Sequence, residues 1–410
     1  MTSGDAPRGP LSGVRVIDLT TVMFGPYCTQ IMGEMGADVV KVEGPEGDIS
    51  RQVGPSRHPG MSAAFMIKGR NKRSVVLDLK QPAARQALYK LCEGTDVFIH
   101  NMRPKAAARL GIAYEDIEKH RPDIVYCNAI GFGPDGPYAD KPAYDDLIQG
   151  LSGLAALNGM VSGEPRFAPS VMADKTSGLF ALYSICMGLF HRERTGEGQR
   201  IDVPMYESFA SFVINEHMQG RFFEPPHSPA GYVRLLSPYR RPHKTQDGYI
   251  CMMPYSTKHW LAFFELAGRP DLAADERFHT MPGRTQNIGE LYQHLAEIMP
   301  TRTTADWLAV LEEADVPAAP MNTPEDLFED PHLKAVGMFP FSEHHSEGPV
   351  RHIRVPVTFH KTPGGLTRHA PRLGEHSLEL LREAGLTEEE IQGLLDARAT
   401  SQAEDLQAKG

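Results

Sequence analysis

The sequence predicts an α/β protein, a Rossmann-like parallel sheet in a large domain followed by a smaller α+β domain. Two patterns carry this reading. Short runs rich in Val and Ile alternate with helical segments through the first 195 residues, as strands joined by crossover helices do. After TGEGQRIDVPM (195–205) the alternation gives way to Pro-, Arg- and His-rich sequence, then to a hairpin pattern followed by helices. At 410 residues the chain is long enough for two units, each with its own core.

Residues 1–10, MTSGDAPRGP, are polar and turn-rich and read as a flexible N-terminus. VRVIDLT (14–20) is a β-rich run, Pro26 stands where the first turn of a helix tolerates a missing N–H, and GADVVKVE (36–43) repeats the strand pattern. The opening is therefore β-α-β. SVVLDLK (74–80), a helix from Pro82 to Glu93, TDVFIHN (95–101), a helical segment at 104–110 and PDIVYCNAI (122–130) continue it, so residues 11–195 form the large domain. Residues 196–230 read as a linker. In the small domain, 231–336, HKTQDGYICMM makes a hairpin turning at Asp247-Gly248, ahead of helices over 258–267, 285–298 and 303–314. A second irregular linker, 337–373, leads to two closing helices in 374–410, the second opening on the capping-box pattern Thr387-x-x-Glu390.

Composition narrows the function. The net charge is −10 and no basic tract suits a polyanionic duplex, so nucleic acid is not an expected partner. Cys28, Cys92, Cys127, Cys186 and Cys251 are odd in number and widely spaced, which suggests neither a disulfide framework nor a zinc site and fits a reducing cytoplasm. The N-terminal stretch lacks the apolar core of a signal peptide and no segment approaches a membrane span, so a soluble cytoplasmic protein with no membrane partner is expected.

Several motifs compete for the chemistry. Gly131-Phe-Gly133-Pro-Asp-Gly136 spells GxGxxG after a strand, but Pro134, Pro137 and Pro142 oppose the helix a dinucleotide site needs. His344, His345 and His352 lack the helical i, i+4 spacing of metal ligands and read as a solvated surface tract. Neither GxSxG nor HExxH occurs. Lys72, Arg73 and Lys80 form one basic cluster and Arg103, Lys105 and Arg109 another, both beside strand ends where a phosphorylated ligand would lie. Asp174, in SVMADKTSG, precedes the very apolar LFALYSICMGLF (179–190) and reads as the N-cap of a buried helix. There the helix dipole would hold the carboxylate ionised, which also suits an acyl-accepting nucleophile.

Taken together, LSGVRVIDLT with GPYCTQIMGEMGADVVKVE (11–43), NKRSVVLDLK (71–80), the Asn101 segment, GFGPDGPY (131–138), MADKTSG (172–178), TGEGQRIDVPM and RLGEH (372–376) resemble the class III CoA-transferases, the family of formyl-CoA and carnitine CoA-transferases, related to α-methylacyl-CoA racemase. The resemblance implies attack of a carboxylate, here Asp174, on an acyl-CoA thioester, giving a mixed anhydride and then an aspartyl-CoA thioester, with CoA as substrate and no permanently bound cofactor or metal. It assigns CoA contacts to Val22, Met23, Phe24, Leu77, Lys80, Asn101, Met102, Arg103 and Arg109, with Lys80 and Arg109 on phosphate groups. Tyr144 and Asp145 fall on the active-site wall. The racemases carry His-Asp at that pair, and tyrosine, with an ordinary pKa near 10, is a poor base at neutral pH. Transfer is therefore preferred to racemisation, and a non-catalytic CoA-binding protein is the third reading. The family fold further implies that the C-terminal segment returns to the large domain and that two chains interlock as a homodimer. The acids exchanged are not legible, dicarboxylates such as succinate being common in the family.

Overall fold

The computed structural model describes residues 9–403, so most of the N-terminus expected to be flexible, and residues 404–410, lie outside the described residues. Six strands make one parallel sheet: β1 (Arg15–Leu19), β2 (Asp38–Glu43), β3 (Lys72–Val76), β4 (Val97–His100), β5 (Val125–Ile130) and β6 (Gln199–Pro204). Their order is β3-β2-β1-β4-β5-β6. β1, β4 and β5 are buried almost throughout, the mark of strands covered by helices on both faces. The crossovers carry α1 (Phe24–Glu34), α2 (Ala63–Gly69), α3 (Pro82–Glu93), α4 (Pro104–Leu110) and α5 (Tyr114–Ile117), and β5 is followed by α6 (Asp145–Leu151), α7 (Leu154–Ser162) and α8 (Met172–Thr195), with α9 (Met205–Ile214) after β6. Strand order reverses between β1 and β4, and in such sheets ligands bind at the carboxyl ends beside the reversal.

Two compact units result. The first comprises the chain up to Ser152, Ala168–Phe212 and the chain from Lys334 on. In it the C-terminal helices Ser377–Glu383 and Glu388–Asp396 send Leu380, Leu381, Ile391 and Leu394 into the same core as Ile17, Val40, Val75 and Phe98. The capping box at Thr387 and Glu390 is formed. The second unit comprises Gly153–Phe167 and Val213–Leu333. Its antiparallel sheet, β7 (His243–Lys244), β8 (Tyr249–Met252) and β9 (Ala318–Pro320), shares a core with helices Thr257–Leu266, Ile288–Ile298 and Thr304–Glu313, where Phe263, Phe264, Leu291 and Trp307 are buried.

Several expectations are corrected. β3 begins at Lys72, ahead of the 74–80 run. The 196–230 segment is not a plain linker, because it supplies β6 and α9. Its strand was hidden by QRIDVP, whose charged residues reflect an exposed sheet edge. Residues 153–167, read as part of the large domain, pack with the second unit. The 337–373 stretch contains a hairpin of β10 (Phe341–His344) and β11 (Gly348–Arg351).

The sheet interior holds charge. Lys72 Nζ meets Asp18 at 2.9 Å and the Thr29 hydroxyl at 2.7 Å, with both ionic side chains essentially inaccessible. Burial by itself raises Asp18, but Lys72 and Lys41, helped by the hydroxyls of Thr20 and Thr29, outweigh it and hold the carboxyl below the usual range. Arg73 is likewise engaged, by Asp38, Glu379 and Glu383. Neither Lys72 nor Arg73 is therefore a phosphate ligand in waiting.

Candidate active site

Asp174 is not an N-cap. α8 starts at Met172 with Val171 in the cap position, so Asp174 stands third in the helix, and its carboxylate makes no hydrogen bond among the described residues. The helix end is capped from another element. Asp145 Oδ1 accepts the Asp174 N–H at 3.0 Å while Oδ2 accepts from Gln149 Nε2 at 2.5 Å. Gln149, one turn along α6 and fully buried, also donates to the Ser170 carbonyl at 3.1 Å and accepts from the Ala168 N–H at 2.8 Å. The loop entering α8 and the carboxylate capping it are thus tied by one amide.

This corrects the electrostatics as well. Burial pushes the Asp174 carboxyl up to about 7, the charge of Asp145 adds to the rise, and Lys68 opposes it. The acid titrates near neutrality rather than being held ionised by the helix dipole.

Two glycines explain how the parts approach. A Cβ at Gly178, one turn beyond Asp174, would come 2.8 Å from the Phe24 carbonyl, so glycine lets α8 seat against the start of α1. A Cβ at Gly131 would come 2.4 Å from that of Ala143. The GxGxxG segment opens no helix. Its first glycine instead brings the strand end against the residues that lead into Tyr144 and Asp145.

The carboxyl ends of β1, β4 and β5 open on a cleft of about 410 Å³. Val22, Phe24, Asn101, Met102, Arg103, Tyr144, Asp145 and Asp174 all line it. Met23, the cap residue of α1, stands next to the lining without forming part of it, and Leu77, Lys80 and Arg109 lie outside. The Leu77 side chain is buried in the sheet core. Asn101 spends its amide on the Thr21 peptide, accepting at 3.0 Å and donating at 2.9 Å, so it fixes the wall rather than offering a free donor. Arg103 reaches the Asp140 carbonyl at 3.4 Å, and Lys105 pairs with the Asp140 carboxylate at 2.5 Å. Lys80 and Arg109 are exposed, and neither forms an ion pair among the described residues. Tyr144 is 69 % exposed.

The histidine reading also changes. His344 is buried, with Nε2 on the Ala370 carbonyl at 3.0 Å and Nδ1 accepting the Ser346 and Glu347 N–H groups. Among the described residues no group of three His, Cys, Asp or Glu is placed to hold a metal ion.

Sequence reasoning missed Gln149 and Lys68. The i, i+4 spacing of Asp145 and Gln149 was an available signal for the first. Lys68, in MIKGRNKRS, looks like any solvated lysine until α2 is placed.

Residues 11–377 match the family model described as CoA-transferase family III. The chain is 34% identical over 394 residues to succinate–glutarate CoA-transferase of Agrobacterium fabrum, covering 93% of this chain and 98% of that one. It is 34% identical over 396 residues to succinyl-CoA:mesaconate CoA-transferase of Haloarcula hispanica, covering 92% and 97%. Among solved structures, a CAIB/BAIF family protein from Brucella suis superposes with a TM-score of 0.79 at 32% identity, over 92% of this chain and 100% of that chain.

Proposed function

The chain belongs to CoA-transferase family III, and from that premise we propose that it exchanges CoA between an acyl-CoA and a free carboxylic acid through covalent intermediates on Asp174. It is a CoA-transferase; the aspartyl route is our reading. One observation carries that reading: a buried carboxylate without a hydrogen-bond partner among the described residues, on a buried helix turn, at the wall of the cleft beside the carboxyl ends of the sheet.

In the proposed sequence an Asp174 oxygen attacks the thioester carbonyl, the C–S bond breaks and CoA leaves as thiolate. The thiolate attacks the aspartyl carbonyl of the mixed anhydride, expelling the donor acid as carboxylate and leaving an aspartyl-CoA thioester. The acceptor carboxylate attacks that thioester, forming a second anhydride, and the returning thiolate takes the acceptor acyl group and restores Asp174. Charge and protons balance without an outside base. Mixing with acyl-CoA and hydroxylamine, then mapping by mass spectrometry, should find the trapped hydroxamate at Asp174; an adduct elsewhere, or none, would overturn the route.

The form that attacks is the anion, and the free acid titrates near 7. Below that value most of the enzyme is neutral at Asp174, so kcat/KM for the acyl-CoA should climb as pH rises through about 7 and level off above it. Asp145→Asn removes the charge that helps raise the acid and should move this midpoint to lower pH. Running both proteins on the same donor cancels the titration of the substrate phosphates.

For CoA we propose contacts from the Val22–Phe24 turn, Met102 and Arg103, with Lys80 and Arg109 meeting phosphate groups. Lys80→Glu and Arg109→Glu should each raise KM for acyl-CoA by about tenfold while leaving kcat near its starting value, the split expected for lost charge-assisted contacts away from the reacting atoms. The relatives are named for succinate, glutarate and mesaconate, and we propose a dicarboxylic acid as partner substrate here. A homodimer is also proposed. In its support, Leu179, Tyr183, Met187 and Phe190 form an exposed apolar stripe at helical spacing along α8, a face suited to cover by a second chain.

A further inference from the structure

Among the described residues, three lysines are buried in the first unit. Lys41 holds Asp48 at 3.1 Å and Lys72 holds Asp18 at 2.9 Å. Lys68, on α2 and 5 % exposed, has no carboxylate hydrogen-bonded to it among the described residues; its ammonium donates to the Val22 carbonyl at 2.5 Å. Taking an ammonium out of water without a bonded counter-ion is costly, so the arrangement needs a reason.

Val22 supplies half of it. Its φ of +69° puts a β-branched residue in the left-handed region, a strained conformation that persists only when its surroundings impose it. Asp48 accepts the Val22 N–H at 3.2 Å while Lys68 takes the carbonyl, so the residue is gripped on both sides. The turn so held forms part of the cleft wall into which Asp174 faces. The other half is charge. Asp174 is faced by Asp145 from α6 and by Lys68 from α2; Lys68 is faced by Asp48 and Asp174, and by the cations Lys72 and Lys41.

We infer that Lys68 is a positioning residue for the covalent step: its bond to the Val22 carbonyl sets the strained β1–α1 turn, and its unpaired ammonium offsets the charge of Asp145 at the nucleophile. Both burial and the electrostatics agree, since burial lowers Lys68 to about 8 while it in turn opposes the rise at Asp174. The inference rests on Asp174 being the nucleophile.

The test is the rate of CoA release on first mixing with acyl-CoA, measured across pH by rapid quench. Lys68→Met should move the midpoint to higher pH and lower the rate at pH 7 by roughly three- to tenfold, the size expected when one nearby charge is removed. Lys68→Arg, which keeps the charge, should leave the midpoint close to wild type. Because Lys68→Met also releases a strained turn and risks misfolding, it is repeated with Val22→Gly, glycine accepting positive φ without a tether. The double variant should still be alkaline-shifted relative to Val22→Gly alone. Equal midpoints in either comparison, or a shift in Lys68→Arg matching that in Lys68→Met, overturn the inference. Asp174→Ala that still releases CoA would instead sink the nucleophile assignment; an inactive Asp174→Ala beside an unshifted Lys68→Met removes only the role of Lys68.

Discussion

Asp174→Ala should lower kcat for CoA exchange by at least about 10⁴-fold, the scale on which loss of a covalent nucleophile registers, while the protein stays folded and binds CoA. Folding should in fact improve. The carboxylate accepts no hydrogen bond among the described residues, and the capping of α8 runs through the Asp174 backbone N–H, which alanine keeps. A carboxyl whose folded pKa of about 7 exceeds its ordinary value of 3.8 favours the native state when protonated and opposes it when ionised. The native state therefore loses stability as pH rises between those values, reaching a cost of about 4 kcal/mol above pH 7 by the linkage relation. Asp174→Ala should lack that loss. Thermal melts of both proteins at pH 5 and pH 8 check it: the variant's advantage over wild type should be largest at pH 8 and clearly smaller at pH 5. An inactive variant that melts lower at both values would mean that the carboxylate is structural.

Lys72→Met should be the most damaging single change to the fold. Removing one member of a fully buried ion pair strands the other, and such losses run about 3–5 kcal/mol. Here Asp18 would keep the Thr20 and Thr29 hydroxyls, at 2.5 and 2.6 Å, but lose its nearest cation. A drop in Tm of about 5 °C is expected for a chain of this size. Adding Asp18→Asn should recover part of it, because the stranded charge is what costs most. A Lys72→Met protein that melts like wild type would show that the pair is dispensable.

What the sequence disclosed follows the range of the forces involved. Strand and helix periods are local, so β1, β2, β4 and β5 and the helix from Pro82 to Glu93 were legible within a few residues. β6 was not, because an edge strand carries charged residues on its open side and looks like a loop. At the cleft, the chemistry-bearing types Asp174, Tyr144 and Asp145 were visible, but their relations were not. Asp174 resembled a cap because most aspartates at helix starts are caps; that Asp145 does this work depends on a contact 29 residues distant in sequence. Lys72 read as part of a phosphate-binding cluster, and Lys68 was passed over, for the same reason: their burial is a property of the packed sheet and of nothing nearby in the chain.

The tie between Asp145 and the start of α8 bears on turnover in a further way. In the proposed cycle Asp174 passes from anion to anhydride to thioester and back, so its side chain changes bulk at every stage and charge at the first and the last. The anchor of the helix runs from a different carboxylate to the main chain, and Gln149 keeps that carboxylate in place. Acylation therefore alters the workpiece without loosening the vice, and the enzyme can keep the same rigid backbone through each of the four acyl-transfer steps.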